Sequence, residues 1–353
     1  SGVWIMSYTN GLDKPSDYFV TKLYTGNGGT NAQTGVGFAP NWVWIKNRSG
    51  ADNNALYDTV RGANKVLVSN NNNAEGSQSD GLTAFGTDGF TVGADGAVNT
   101  NGNNFVAWNW KAGTSVSGNT TGSGTAKTYT GSVNTDAGFS IIKYVGNGTA
   151  GHTAPHHLGV APKAMIIKNL QATQSWFINF PFGTGAGYIM LDRTNAGDGS
   201  NASVWNSTAP SSSVVTLGET GGVNENNHAY IMYAFAEKQG YSKFGSYTGN
   251  GNVDGTFVYT GFKPAFVFVK RTNGTENWTI MDTTRDTFNV ATKKLHPNLA
   301  AGLDNGATID ILSNGFKNKT TNAGANGSGD SYIFYAIAEN PFVTSTGVPA
   351  TAR

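Results

Sequence analysis

The chain has 353 residues, of which 23 are basic and 22 acidic, so charged side chains make up only 13% and the formal net charge is +1. This length is enough to bury a large core and allows two or three domains. Without a basic excess to neutralise phosphates, the composition argues against nucleic-acid binding. The absence of cysteine excludes disulfides, thiolate metal sites and a cysteine nucleophile.

The apolar runs of the sequence are short. Neither Tyr230–Ala236 nor Tyr332–Ala338 approaches the roughly 18 consecutive apolar residues that indicate a membrane span. We therefore expect no membrane insertion. No signal-peptide pattern opens the chain, and its first residue is Ser1 rather than methionine, so we expect a processed or partial N-terminus.

Three similar blocks of sequence follow one another. Each contains a Tyr-x-Gly-Asn-Gly turn, a Gly-x-x-Pro segment that leads into an apolar run and a lysine, and a closing aromatic run. The turns begin at Tyr24, Tyr144 and Tyr247. The prolines are Pro40, Pro162 and Pro264, and the lysines that follow them are Lys46, Lys168 and Lys270. Self-similarity of this kind predicts three copies of one structural unit.

Strands are the expected elements throughout. Short runs rich in Val, Ile, Tyr, Phe and Trp alternate with clusters of Gly, Asn, Asp and Ser, as in β-strands joined by turns. Helical periodicity is weak, and Leu295–Leu303 is the best candidate for one short helix. We therefore predict an all-β protein of three tandem β-sandwich or jelly-roll-like repeats of about 100 residues. A β-trefoil, with much shorter units, is a less favoured alternative.

The repeats and the composition between them predict domain boundaries. Residues 113–131 are rich in Gly, Ser and Thr and indicate a flexible linker or a surface ribbon. The predicted order is an N-terminal segment 1–13, β-module 1 at 14–112, the linker 113–131, β-module 2 at 132–238, β-module 3 at 239–342 and a C-terminal tail 343–353.

The repeated lysine is the first candidate functional group. A lysine at a strand end ordinarily reaches solvent or pairs with a carboxylate, and this is the favoured interpretation of Lys46, Lys168 and Lys270. The alternative is a buried Lys–Glu–Asn group that forms an intramolecular isopeptide bond. Glu237 and Glu339 would supply its carboxylates in the second and third repeats, whereas the first repeat has no glutamate there.

An Asp-x-x-Arg pattern also recurs. Asp58 and Arg61 in the first repeat return as Asp282 and Arg285 in the third, while Asp192 comes later in the second. We interpret the first two pairs as structural ion pairs that hold loops. A glycosidase needs two differently tuned carboxylates close together, and repetition along the chain argues against a single catalytic centre. The sequence thus predicts no catalytic residue and no enzyme.

Three of the five histidines, His152, His156 and His157, lie close together in the second repeat. Imidazoles so grouped can bind a metal. The cluster occurs only once, beside proline and without a nearby acid, so we predict an ordinary polar loop. It remains a minority candidate for a metal site, and we expect no cofactor.

Trp176 and Trp278 stand eight residues after the repeat lysine, where the first repeat has Asn54. Tryptophans in β-proteins most often belong to the core. Exposed tryptophans, however, stack on sugars, and the polar loops of this chain are compatible with carbohydrate contact. The core is the favoured interpretation, and Trp176 and Trp278 are kept as possible ligand-contact residues.

Several of these runs carry a resemblance to a known family. They are Gly35–Arg48, Ala107–Gly113, Gly240–Gly251 and Ala338–Phe342. Together they resemble a repeat-bearing domain of unknown function that is common in virion proteins of marine tailed bacteriophages, often in long proteins described as tail fibre or laminin-G-like. The resemblance covers about residues 14–342 and brings no catalytic residues.

The resemblance implies a non-catalytic structural protein on the surface of a phage particle. The favoured role is a tail-fibre or adhesin component that binds a host surface glycan or protein and contacts other virion proteins. A capsid decoration or fibre-shaft subunit is the alternative, and a polysaccharide depolymerase is a weaker one. Fibres and spikes are commonly symmetric, so we expect a homo-oligomer, with a trimer favoured.

Overall fold

The structure is a computed structural model that describes residues 11–180, 187–199 and 201–351. Within these ranges the helical elements are a 3-10 turn at Pro15–Asp17 and two four-residue helices, α1 at Gly96–Asn99 and α2 at Ala202–Trp205. Strands make up the remaining elements, and their sheets are antiparallel. The predicted all-β class is thereby confirmed. No described helix is long and apolar enough to span a membrane.

Parts of the predicted terminal segments fall outside the described ranges. Residues 1–10 of the N-terminal segment and residues 352–353 of the tail are among them. Where the two segments are described they touch, because the backbone N–H of Ser345 donates to an Oδ atom of Asp13 at 2.8 Å.

Nine strands form the first sandwich. They are β1 Phe19–Thr25, β2 Asn31–Gln33, β3 Trp42–Asn47, β4 Ala55–Asp58, β5 Lys65–Val68, β6 Gly76–Ser77, β7 Leu82–Gly86, β8 Gly89–Val92 and β9 Asn104–Trp110. The large sheet has the order β1-β9-β3-β4-β5-β6, and the small sheet has the order β2-β8-β7.

Ten strands among the described residues form the second sandwich. They are β10 Thr114–Asn119, β11 Thr121–Gly122, β12 Thr128–Asn134, β13 Phe139–Val145, β14 His152–Pro155, β15 Ala164–Asn169, β16 Phe177–Asn179, β17 Tyr188–Met190, β18 Val214–Leu217 and β19 Ala229–Phe235. The large sheet has the order β10-β12-β13-β19-β15-β16-β17, and the small sheet has the order β11-β14-β18.

Eight strands form the third sandwich. They are β20 Ser242–Thr248, β21 Phe257–Tyr259, β22 Phe262–Arg271, β23 Thr279–Asp282, β24 Ala291–Lys294, β25 Asp304–Leu312, β26 Gly315–Asn318 and β27 Ser331–Pro341. The large sheet has the order β20-β27-β22-β23, and the small sheet has the order β21-β26-β25-β24.

The three large sheets share a four-strand order. In each, the strand that ends at the Gly-Asn-Gly turn, β1, β13 or β20, pairs with the last strand of the sandwich, β9, β19 or β27. The other neighbour of that last strand is the strand that carries the apolar run after the proline, β3, β15 or β22. This strand in turn pairs with the next strand along the chain, β4, β16 or β23. The repeat lysine occupies the same register each time, opposite Val106, Ile231 or Ile333 of the last strand.

The strand after each proline is buried on both faces, and its alternating side chains enter two different cores. Val43 and Ile45 of β3 point into the core between the two sheets of the first sandwich. Trp42 and Trp44, one residue out of phase, point the other way. Strands β15 and β22 divide their side chains in the same manner. This follows from the two-residue period of a strand, and it explains why these runs are apolar throughout.

The outward faces of the three large sheets meet in one shared core. Its members include Trp42 and Trp108 of the first sandwich, Tyr233 of the second, and Phe266 and Tyr335 of the third. The rings of Trp42 and Tyr233 stack with their centroids 4.4 Å apart. The described residues therefore form three sandwiches packed around a common aromatic centre.

The Tyr-x-Gly-Asn-Gly motif joins the strand that it ends, β1, β13 or β20, to the loop before the last strand of the same sandwich. In the first sandwich the Tyr24 hydroxyl donates to the Val98 carbonyl at 2.6 Å, and the Asn27 N–H donates to the Asn99 side chain at 3.0 Å. A β-carbon on Gly26 would collide with the carbonyl oxygen of Thr100, so only glycine fits there. The motif is a structural clasp.

The sequence predicts either a flexible linker or a surface ribbon for residues 113–131. In the structure β10 and most of β12 lie there and pair with each other as a ribbon at the edge of the second large sheet, which agrees with the second alternative. The alternating Thr, Ser and Val side chains suit such an exposed ribbon. The helix predicted at Leu295–Leu303 is wrong, because this segment is irregular and its carbonyls are used by another sandwich.

Candidate functional site

The repeat lysines are buried and bind backbone carbonyls of a neighbouring sandwich. Lys46 Nζ of the first sandwich donates to the Ala300 carbonyl of the third at 2.8 Å. Lys168 Nζ donates to the carbonyl of Asn72 in the first at 3.2 Å, and Lys270 Nζ donates to that of Thr194 in the second at 3.0 Å. All three side chains are fully buried. They are inter-sandwich ties and not solvent-reaching lysines.

The acceptor carbonyls belong to three largely irregular segments that we call arms, the first two of which begin at the last residue of a strand. The first arm is 68–75, the second is 190–198 and the third is 295–303. The first arm reaches the second sandwich, the second arm reaches the third, and the third arm reaches the first. These contacts therefore close a ring within one chain.

The proposed isopeptide group is not assembled. Glu237 pairs with Lys243 at 2.8 Å, and Glu339 pairs with Lys263 at 3.0 Å. Neither carboxylate is thus held by a repeat lysine. The amine of Lys168 instead donates to carbonyls, including that of Gln174 at 2.9 Å.

Burial lowers the pKa of Lys46, Lys168 and Lys270 from an ordinary value of 10.5 to about 8 in each case, and a carboxylate near each one opposes the shift. A group with a lowered pKa in the folded state releases its proton from the folded chain before the unfolded one. The folding stability that it contributes is therefore complete above pH 10.5 and is lost as the pH falls through 8.

We expect the free energy of unfolding to rise between about pH 8 and pH 10, on the order of 1 kcal/mol per lysine per pH unit. Above about pH 10 it should fall again, because burial raises the pKa of tyrosines such as Tyr144 and Tyr233 while unfolded tyrosines ionise. Urea denaturation across this range measures the effect. The stability advantage of the wild type over Lys168→Met should grow with pH, and an advantage that is the same at pH 7 and pH 9.5 would contradict the prediction. Lys163→Met, at an exposed lysine, is the control.

The Asp-x-x-Arg pairs lie inside the protein. Arg61 Nε and Asp58 Oδ2 are 2.5 Å apart, Arg285 Nε and Asp282 Oδ2 are also 2.5 Å apart, and all four side chains are fully buried. Each arginine also donates to backbone carbonyls, as Arg61 does to that of Lys65 at 2.8 Å. The structure thus brings together the residues that the sequence assigned to structural ion pairs.

Both aspartates are also contacted by the last strand of a neighbouring sandwich. The Tyr233 hydroxyl donates to Asp58 Oδ2 at 2.7 Å, and the Trp108 indole N–H donates to Asp282 Oδ2 at 3.0 Å. In the second sandwich Phe180 stands at the corresponding position and is buried. These carboxylates join sandwiches together, and their oxygens are occupied by internal donors.

Asp192, the late acid of the second repeat, has a different role. One of its oxygens accepts the backbone N–H of Trp176 at 3.0 Å. It anchors the start of the segment that leads to β16.

The three clustered histidines turn to separate partners. His152 Nδ1 lies 2.8 Å from the Asn147 side-chain amide, His156 Nε2 lies 3.2 Å from the Ser211 carbonyl, and His157 Nε2 lies 2.9 Å from the Tyr129 hydroxyl. Burial lowers the pKa of His156 to about 4. The described part of the chain contains no group of three or more His, Asp or Glu side chains that could hold a metal ion.

Trp176 and Trp278 are both buried, as the core interpretation expects, and neither ring is exposed to a ligand. Trp176 Nε1 donates to the carbonyls of Val68 and Asn71 in the first arm, at 3.0 and 3.1 Å. Trp278 Nε1 donates to the Met190 carbonyl, which begins the second arm, at 2.9 Å.

The first sandwich makes the same type of contact without a tryptophan. Asn54 Nδ2 donates to the carbonyls of His296 and Leu299 in the third arm, at 3.3 and 2.9 Å. The position eight residues after the lysine is therefore a donor to an arm in all three sandwiches.

An open groove of about 710 Å³ lies at the boundary between the second and third sandwiches. Val160 borders it from the second sandwich, and Tyr259 and Phe342 border it from the third. These three side chains are 48%, 60% and 37% exposed, and they are among the most exposed large apolar side chains of the described residues. Sequence reasoning missed all three.

Comparison with known proteins gives a family but no activity. A family model described as a domain of unknown function (DUF7483) matches residues 14–341. The chain belongs to this family. Neither a curated protein nor a solved structure matches it.

Proposed function

We propose that the protein is a non-catalytic structural component of a phage particle, a tail-fibre or adhesin element that binds the host surface. It would lie on the outside of the virion and contact other virion proteins. The family resemblance described above motivates the viral setting. The groove between the second and third sandwiches is the candidate binding surface, because Val160, Tyr259 and Phe342 expose apolar side chains there.

The placement of the acids supports a role without catalysis. Asp58 and Asp282 are neutralised by buried arginines, and Asp192 accepts a backbone N–H. A hydrolytic carboxylate pair must face a substrate and a water molecule, which these three do not. What the fold offers is surface supported by rigid strands, a common arrangement for binding loops.

Self-association is part of the proposal, and a trimer is the favoured state. The faces of the large sheets that meet in the shared core are already used within one chain. Subunits would therefore associate through the remaining surface of the chain. Several weak contacts would then act together at a high effective concentration.

Two measurements test the proposed function. Antibody against the chain should label tails in electron micrographs of phage particles, and the purified chain should adsorb to susceptible cells and slow infection by competition. Label on capsids alone would favour the decoration alternative. Steady release of reducing ends from host polysaccharide, lost on Asp58→Asn or Asp282→Asn with the fold intact, would establish the depolymerase alternative instead.

A further inference from the structure

Val160 occupies a position that is buried in the other two sandwiches. It is the second residue of a Gly-x-x-Pro segment, and the corresponding residues, Phe38 and Phe262, are buried. In the second sandwich the smaller side chain faces the groove. A position that is part of the core in the first and third sandwiches thus lines the groove in the second.

The opposite wall of the groove is aromatic. Tyr259 lies on β21, and Phe257 shares its exposed face because side chains two residues apart in a strand point the same way. Phe342 follows the end of β27. A tyrosine exposed in this way offers both an apolar face and a hydroxyl, as suits a ligand that is partly apolar and partly hydroxylated.

The groove also carries an uncompensated positive charge. Lys243 and Glu237, both in its lining, pair with each other at 2.8 Å. Lys163, at the same groove, makes no ion pair with any residue in the described ranges and is exposed. Gln239 adds an exposed side-chain amide. A ligand with a carboxylate would complement this lysine.

The two other sandwich boundaries have grooves of different character. The groove between the first and third sandwiches, about 340 Å³, is lined by residues that include Ser16, Thr21, Ala265 and Thr283. The groove between the first and second, about 540 Å³, is lined by residues that include Asn41, Thr59, Ser115 and Thr130. Neither contains an exposed aromatic side chain, so the combination of aromatic wall and free lysine distinguishes the groove at the second boundary.

We infer that this groove binds an acidic carbohydrate chain, with Tyr259 and Phe342 packing on sugar faces and Lys163 pairing with a uronate carboxylate. The inference rests on the proposed binding role and names its ligand class. A peptide adding to the sheet is less well supported, because the edge strand β21 has only three residues with which to pair.

The test uses the full chain on an array of uronate-containing oligosaccharides printed beside neutral oligosaccharides and poly-glutamate. We expect binding to uronate-containing spots alone. Tyr259→Ala and Lys163→Met should each weaken it about tenfold, a change of about 1.4 kcal/mol. Lys163→Met should also reduce its salt dependence.

Phe288→Ala is the matched control, because Phe288 is 80% exposed and lies outside the groove. Equal binding to poly-glutamate, no binding to uronate, or uronate binding that the groove variants leave unchanged would each overturn the inference. Failure here with retained adsorption to cells would reject the acidic-carbohydrate ligand but not the proposed function. Loss of both tail labelling and adsorption would reject the function itself.

Discussion

Asp58→Ala is expected to lower the free energy of unfolding by about 3–5 kcal/mol, because it removes the nearer of two carboxylates that face the buried Arg61 guanidinium. The other, Glu75, lies 3.3 Å from Arg61 Nη1. The substitution also removes the acceptor of the Tyr233 hydroxyl, so that a contact between the first and second sandwiches is lost. Guanidinium chloride denaturation measures the change. Asp58→Asn keeps an acceptor oxygen but not the charge, so its free energy of unfolding should lie between those of the wild type and Asp58→Ala.

The control for this prediction is an exposed ion pair of the same length. Asp254 Oδ1 and Lys317 Nζ are also 2.5 Å apart, but the Asp254 side chain is 72% exposed. Solvent screens such a pair, so Asp254→Ala should cause no measurable loss of stability. Comparable losses in both variants would show that burial of the Asp58 pair is not what makes it important.

The sequence predicted the fold class because the features that carry it are side-chain features. The Gly-Asn-Gly turns need glycine at Gly26 for a close approach of the backbone, and the strands after Pro40 and Pro264 need apolar residues on both faces. Such requirements leave a visible pattern of residue types. The arginine and aspartate of each ion pair stand three residues apart, and local spacing was enough to associate them.

The ring of arms could not be predicted in this way. The acceptors of the repeat lysines are backbone carbonyls of Asn72, Thr194 and Ala300, whose side chains have nothing in common. Every residue has a backbone carbonyl, so the sequence does not show which carbonyls act as acceptors. The lysines were therefore predicted to reach solvent or to pair with a carboxylate. For the same reason the carbonyl partners of Trp176 could not be predicted, although the core was the favoured interpretation of its position.

The groove was missed for a different reason. Val160 does differ from the phenylalanines of the other two Gly-x-x-Pro segments, and this is a visible signal. Its exposure, however, depends on how the third sandwich is placed against the second. That placement is set by the ring and the shared core, which join residues far apart in the chain.

Each arm is held by its own hydrogen bonds to a neighbouring sandwich, so the loss of one of these bonds should first destabilise the arm that it holds. Trp176→Phe removes the indole N–H that binds the Val68 and Asn71 carbonyls and leaves these acceptors without that donor. We expect a loss of about 1–3 kcal/mol in the free energy of unfolding, and Trp176→Ala should cost about 3–5 kcal/mol through the additional cavity. Thermal and denaturant unfolding measure both.

Hydrogen exchange locates the effect. The Glu75 amide bonds to the Leu170 carbonyl and the Gln174 amide bonds to that of Asn72, so both amides report on the first arm. In Trp176→Phe their exchange should accelerate about fivefold or more, which corresponds to about 1 kcal/mol. The Gly197 amide of the second arm donates to the Thr272 carbonyl of the third sandwich, and its exchange rate should not change.

Trp278→Phe supplies the reciprocal control, because its indole binds the Met190 carbonyl of the second arm. It should accelerate exchange at Gly197 and leave Glu75 unchanged. If each variant accelerates exchange only in its own arm, the arms open independently of one another. Equal acceleration at Glu75 and Gly197 in both variants would instead mean that the ring opens as one cooperative unit, because the shared aromatic core then couples the three sandwiches more strongly than the arms do.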